Sequence, residues 1–290
     1  MTGITITRAG PLLTLQDAGR FGMLAHGISA SGPMERAGFD AAGALLERSG
    51  SAGLEFTTVG LSFIAEGPLR AGCAGGAFAL TVNGSQRDWP ARLSLDAGDE
   101  VDITPGPAGN YGYMRFDREI AVPPVLGSRA TNLTVGLGGY KGRALRAGDR
   151  VELGETGGTA ATPNIPAGGG GPIRVLWGLH ADQFDAYSRT AFARSAFTIS
   201  ASLDRMGVRL ADPDRVFRIQ QRLTLVSDAI VPGDIQILGD GTPIVLMRDH
   251  QPTGGYPRIA TIVSADLDRF AQLRPGTEVH FQPVTLEHAR

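Results

Sequence analysis

The sequence predicts a mostly-β chain with a few helices, folded as two units that each form a barrel. Three observations predict it. Glycine is abundant (41 residues) and proline frequent (18), without a Gly-X-Y period, so the excess belongs to turns, and many turns mean many short strands. A strand-entry pattern, in which a turn glycine and a polar residue precede a strand, recurs as LDAGDEV at 95–101, LRAGDRV at 145–151 and LRPGTEV at 273–279. Their spacing is unequal, which makes this a recurring turn rather than a solenoid repeat. Finally, GETGGTAATPNIPAGGGG at 154–171 has the composition of a flexible linker and sets the two units at 1–153 and 172–290.

The elements follow in chain order. A helix is expected over 33–49: it begins after Ser31, carries Pro33 at a tolerated early position, places Met34, Ala37, Ala41 and Leu45 on one side, and stops at Gly50. LEFTTVGLSFIAEG at 54–67 nearly alternates and reads as strand. LTVNGSQ at 80–86 contains Asn83-Gly84, which suits a type I′ hairpin. IRVLWG (173–178) and TPIVLM (242–247) are continuous apolar runs, as expected of strands buried on both faces. A second helix is expected at 182–194, with Phe184, Tyr187, Ala191 and Phe192 on one side. RVFRIQ at 215–220 alternates as a strand would. A third helix is expected from a Ser264 cap, with Asp266 and Asp268 in its first turn, to Arg274-Pro275.

Composition excludes several function classes. Charge is nearly balanced, 27 basic against 29 acidic residues with net −2, so nucleic acid or an anionic membrane is not an expected partner. One cysteine, Cys73, permits no intrachain disulfide and suggests a reducing compartment. The N-terminus has no signal-peptide core, and no apolar run reaches the roughly 18 residues of a membrane helix. The expected location is the cytoplasm. Lys141 is the only lysine. It is followed by Gly142, so it is not the lysine of a phosphate loop, and it does not sit in a Met-Lys-Met biotin hairpin. We therefore expect no covalent biotin on this chain and no Ser-Lys amidase site. The five histidines are scattered, with no metal motif, and no Gly-x-Ser-x-Gly elbow occurs.

Four polar clusters fall in turns: TLQDAGRFG (14–22), HGISASGPMERAGFD (26–40), SLDRMGVRL (202–210) and the start of MRDHQPTGGYPRIATIVSADL (247–267). Arg20 and Arg205 are each capable of bidentate binding to a carboxylate or phosphate, and such Gly-rich polar sets suit a small anionic or amide ligand. The plainer reading makes Asp17 and Arg20 a local turn brace, Glu55 an outward-facing strand residue, and His250 a structural histidine.

These clusters, together with GLGGYKGRALRAGD (136–149) and DHQPTGGYPRIATIVSADLDRFAQLRPG (249–276), resemble the biotin-dependent carboxyltransferase family. It is also called allophanate hydrolase subunit 2 or KipA-like, and includes the C component of 5-oxoprolinase and the carboxyltransferase part of urea carboxylase. The resemblance spans about residues 4–284. It implies two cyclophilin-like β-barrel domains and a partner chain, the subunit 1 or KipI-like protein. It further implies work on an amide: ATP-dependent activation of the 5-oxoproline lactam, completed by a third hydrolase subunit, or carboxyl transfer from carboxybiotin to urea. A KipA-like regulatory binding role is the non-enzymatic alternative. ATP would belong to the complex. Carried onto this sequence, Asp17, Glu35 and His250 are candidate catalytic residues, and Arg20, Glu55, Arg205, Asp249 and Tyr256 candidate substrate-binding residues. The chain departs from the family at Met34-Glu35 (Met-Asp), at Ser128–Asn132 (Ser-Arg-Ser-Thr-Tyr) and at Gly178-Leu179-His180 (Gly-Pro).

Overall fold

The computed structural model describes residues 2–160, 162, 170–217 and 225–289. Two compact units divide it: Met1–Phe21 with Ala30–Pro166, and Gly22–Ser29 with Ala167–Arg290. Both are built mainly from strands, and three α-helices occur among the described residues: α1 (Arg36–Ala44), α2 (Ala186–Arg194) and α3 (Ser264–Ala271). Among the described residues no helix is long and apolar enough to cross a membrane.

The first unit holds a ten-stranded sheet. Two long strands organise it. Leu69–Val82 and Glu100–Phe116 run antiparallel over most of their length, and the second also pairs with Gly53–Thr57 and Leu61–Ala65. The strand Thr2–Ala9 lies between Leu61–Ala65 and Arg150–Thr156. Inward residues alternate along these strands and form one core, with Ile4, Ile6, Leu54, Phe56, Phe63, Ile103 and Phe116 all fully buried. α1 reaches this sheet backbone to backbone: a Cβ on Gly38 would stand only 2.6 Å from the Gly75 Cα, so the contact requires glycine.

In the second unit an eight-stranded sheet runs, in order, Glu278–Val279, Phe197–Leu203, Gly207–Ala211, Pro243–Leu246, Asp234–Ile237, Arg258–Ile262, Ile173–Trp177 and Phe281–Pro283. Only the last pairing is parallel among its mapped pairs. Its core is aromatic: Phe192 stacks on Phe281 at 5.1 Å between ring centroids, and Phe197 lies 5.7 Å from both. A separate two-stranded ribbon joins Asp228–Ala229 to Thr253–Gly254.

The recurring turn is what its sequence predicts. Gly98, Gly148 and Gly276 take φ of +92°, +88° and +85°, and a strand follows each within two residues. Asn83 (+52°) and Gly84 (+74°) make the type I′ turn between Leu69–Val82 and Ser85–Arg87.

Other expectations need correction. The first helix spans 36–44 rather than 33–49. Ser31 and Gly32 are left-handed, Glu35 is the extended N-cap, and Arg48–Ser49 is a strand paired with Gly158–Thr159. The second begins at Ala186, after a 3-10 turn at Ala181–Gln183 and an Asp185 cap, and Tyr187 points outward. The third is capped from Val263 and ends at Ala271, before Arg274-Pro275. Trp177 is 43 % exposed, so Ile173–Trp177 is buried on one face only. The strand Arg150–Thr156 continues past Leu153 into the stretch that composition marks as linker. Residues 163–169 of that stretch, and 218–220 of the expected strand 215–220, lie outside the described residues.

Candidate functional site

In the first unit the turn Asp17–Arg20 follows the short strand Thr14–Gln16. Asp17 is buried, and all its acceptor contacts are local or structural: the Gly19 N–H (2.9 Å), the Ser128 hydroxyl (2.6 Å) and the Arg129 N–H (2.6 Å). Arg20, 1 % exposed, donates to the carbonyls of Val125 (2.9 Å), Ser128 (3.3 Å) and Ala130 (2.9 Å). Both side chains thus grip segment 125–130. That is a brace, but one that spans more than a hundred residues of sequence instead of a local Asp–Arg turn. Asn132, one of the departures from the family pattern, is likewise spent: its Oδ1 accepts from the N–H groups of Thr134 and Val135.

Glu35 and Glu55 meet at the start of α1. Glu55 is fully buried, facing inward rather than outward, and accepts the Met34 N–H at 2.7 Å. Glu35 caps the helix by accepting the Gly38 N–H at 2.6 Å, and its own N–H goes to the Tyr113 hydroxyl at 2.8 Å. Burial first, then Glu55 and Glu35, push the Tyr113 pKa well above 10. Tyr113 is therefore a neutral hydrogen-bonding group between two carboxylates. Reading the sequence for charged residues misses it, although the alternation in Tyr111-Gly112-Tyr113 already places both tyrosines on one face.

The second unit gathers Arg205, Asp249 and His250. Arg205 is 1 % exposed and grips Asp249 in a bidentate pair, Nε to Oδ2 at 2.9 Å and the second nitrogen to Oδ1 at 3.1 Å. The Asp249 N–H returns to the Arg205 carbonyl at 2.7 Å. Arg205 is thus a core arginine with an internal carboxylate, not a turn residue open to an anionic ligand. His250 is buried, and its Nδ1 lies 2.6 Å from the Gln251 carbonyl. A carbonyl only accepts, so Nδ1 carries hydrogen and Nε2 is the basic nitrogen of the neutral ring. Burial lowers the His250 pKa below 6.5 despite the opposing hydrogen bond and nearby carboxylates, which keeps the ring neutral at pH 7. Tyr256 is 42 % exposed and presents its ring outward. Gly254 has an internal explanation: a Cβ there would overlap the side-chain amide of buried Gln236.

Two further features bear on chemistry. Burial raises the Cys73 thiol to about 12, so it is not a thiolate nucleophile. In the glycine-rich loop around Lys141 the N–H groups of Leu137, Gly139, Lys141, Gly142 and Arg143 donate to nearby carbonyls, which leaves few of them to face an anion. The structure therefore brings Asp17 with Arg20, Glu35 with Glu55, and Arg205 with Asp249 and His250. Asp17, Glu35, Glu55 and Asp249 each accept hydrogen bonds from the surrounding fold, and the buried His250 ring is neutral.

A family model for the carboxyltransferase domain, subdomain A and B, matches residues 26–283. This chain belongs to that family. Among individual relatives, it is 36 % identical to the C component of 5-oxoprolinase from Escherichia coli K12, covering 99 % of this chain and 93 % of that protein. It is 30 % identical to the Haemophilus influenzae protein of the same name, covering 95 % and 89 %. The carboxyltransferase fold also appears in the crystal structure of the Kluyveromyces lactis urea amidolyase. That match has a TM-score of 0.89 at 24 % identity, and covers 99 % of this chain but 19 % of the solved one. One large sheet of such a fold curls into a half-barrel and the other into a nearly closed barrel.

Proposed function

We propose that this carboxyltransferase-family chain is a subunit of an ATP-dependent amide-processing assembly of the 5-oxoprolinase type, working with a subunit 1-like partner. One observation carries the reading: the 36 % identity to a 5-oxoprolinase C component runs nearly end to end in both chains. The chemistry agrees. A lactam is a poor electrophile, and a site for one needs hydrogen-bonding groups for its carbonyl and N–H plus a base. His250 supplies a neutral ring with its basic lone pair on Nε2.

ATP belongs to the assembly in this reading: in the glycine-rich loop that holds the chain's one lysine, the N–H groups of Leu137, Gly139, Lys141, Gly142 and Arg143 are committed to carbonyls of the chain. A third, hydrolase-type subunit completes ring opening. The chain alone is silent, because Asp17, Glu35, Glu55 and Asp249 are all engaged in holding the fold. A second reading, carboxyl transfer to urea, has its support in a 27 % match to the Lachancea kluyveri urea amidolyase. That match covers 98 % of this chain and 17 % of a much longer protein. In that relative the equivalent segment is one part of a longer chain, which also favours a partner for this one. An obligate interface with it would bury about 2,000 Å² or more.

The test is reconstitution. The chain is purified alone and co-expressed with a subunit 1-like protein, then assayed with 5-oxoproline plus ATP and with urea plus carboxybiotin. We expect co-elution, and ATP-dependent consumption of 5-oxoproline only in the assembly. Full turnover by the isolated chain, or turnover of urea alone, would overturn the reading.

A further inference from the structure

The first unit has a cavity of about 240 Å³ in which every lining residue except Leu46 is polar or charged. None of the sequence-predicted site residues lines it. Three segments build it. Glu47 and Arg48 follow α1, Arg70 and Asp117 stand at adjoining ends of the two long strands, and Thr156 and Thr159 flank the turn after Arg150–Thr156. Main-chain hydrogen bonds tie these segments together: the Asp117 N–H to the Arg70 carbonyl at 3.0 Å, the Gly157 N–H to the Asp117 carbonyl at 2.9 Å, and the Ala160 N–H to the Glu47 carbonyl at 3.2 Å. Arg48 and Thr159 are cross-strand partners. The cavity is therefore set by the backbone. It is also open to solvent, because Glu47, Arg48, Arg70, Thr156 and Thr159 are all exposed.

Its charges are balanced and largely unspent. Arg48 uses one nitrogen, on the Gly157 carbonyl at 3.3 Å, and the Arg70 guanidinium has no hydrogen bond among the described residues. Asp117 uses Oδ1, on the Arg70 N–H at 3.2 Å. Glu47 uses Oε1, on Arg92 at 3.0 Å, and Arg92 and then Arg70 hold its carboxyl below the ordinary value, so it is ionised at pH 7. Among the described residues neither lining arginine forms an ion pair with either lining carboxylate. Two cations and two anions thus share one small cavity without closing on each other. A bare oxyanion would meet Glu47 and Asp117, and a bare cation would meet Arg48 and Arg70. A molecule carrying both signs suits all four.

We propose that this cavity binds a small α-amino acid, with its carboxylate on Arg48 and Arg70, its ammonium on Asp117 and Glu47, and the threonine hydroxyls beside them. Guanidinium groups pair with carboxylates in a charge-assisted way, and an ammonium does the same with Asp and Glu. The volume lies below the roughly 300–1,000 Å³ of pockets for drug-sized ligands, so the ligand is small. Its identity rests on the 5-oxoprolinase-type reading above. When water opens the 5-oxoproline lactam, the C–N bond breaks and leaves a second carboxylate and a free ammonium. That product has the cation that Asp117 and Glu47 call for, and the lactam lacks it. The cavity therefore separates product from substrate.

Titration calorimetry on the full chain with L-glutamate, 5-oxoproline and inorganic phosphate tests this. Glutamate is expected to bind, and the other two at least about tenfold more weakly. Arg70→Ala and Asp117→Asn should each weaken glutamate binding about tenfold or more. Both variants should melt with the wild type, because the Arg70 guanidinium holds nothing in the fold and asparagine keeps an oxygen for the Arg70 N–H. No glutamate binding at millimolar concentration, or unaltered binding in either variant, would overturn the proposal. Phosphate or 5-oxoproline binding as tightly as glutamate would overturn it as well, by showing a plain anion site. Failure of the reconstituted assembly to consume 5-oxoproline is a separate result. It removes the functional reading, while the titration, which needs no turnover, still decides the cavity.

Discussion

Among the described residues, Arg20 in the first unit and Arg205 in the second are each only 1 % exposed, and the two are held differently. Arg20 donates to the carbonyls of Val125, Ser128 and Ala130. Arg205 faces the carboxylate of Asp249, which is equally buried. The first arrangement uses a cation to gather loops: its acceptors are main-chain atoms that would otherwise need water. The second uses a cation to neutralise a carboxylate inside the protein. From sequence both are an arginine in a Gly-containing turn after an aspartate, Asp17-Ala-Gly-Arg20 and Asp204-Arg205. Their energetics diverge because a charge left behind in a buried site costs more than a carbonyl left behind near a loop.

That difference orders the expected effects. Arg205→Met strands the Asp249 charge and should cost about 3–5 kcal/mol in urea denaturation. The double variant Arg205→Met/Asp249→Leu should recover most of that loss, since no buried charge remains. A single variant within about 1 kcal/mol of the wild type would dissolve the contrast between the units. Arg20→Met comes next, at roughly 1–3 kcal/mol, because the freed carbonyls lose a donor but leave no charge. Its loss should appear with increased proteolysis across 125–130, the segment it gathers. A cost equal to that of Arg205→Met would show the two arginines to be equivalent.

The smallest effect separates the units by pH. Burial depresses the His250 pKa in the folded state below its ordinary 6.5, so the unfolded chain binds the proton more tightly. The contribution of the neutral ring is complete above 6.5 and is lost as pH falls through the folded-state value. Stability measured from about pH 7.5 down to about 5 should therefore decline, and His250→Gln should flatten the slope. An unchanged slope in that variant would place the titration elsewhere.

The turn chemistry of this chain was open to sequence reasoning because it is local. A left-handed glycine before a polar residue and a strand, or an Asn-Gly pair between two alternating runs, is decided by the steric limits of a few φ and ψ angles. Helix ends were less legible. Pro33 and Met34 look like a first turn, yet left-handed Ser31 and Gly32 keep the chain irregular as far as Glu35. The candidate site was legible as a set of polar loops, and the family blocks pointed to the residues to inspect. Their roles were not: Asp17 and Arg20 look poised for a ligand until segment 125–130 is seen wrapped around them.

The sequence by itself determined the β-rich class, the recurring turns and the family. Each of these depends on composition, short-range backbone sterics or a long run of matching residues. Only the tertiary structure decided which polar groups are occupied. Asp17 meets Ser128 across 111 residues and Arg205 meets Asp249 across 44. Partners that distant are set by sheet register and loop packing, and no local pattern encodes them. The same long-range packing left Ser31 without a partner, and burial, with Arg248 nearby, holds the His250 pKa below its ordinary value.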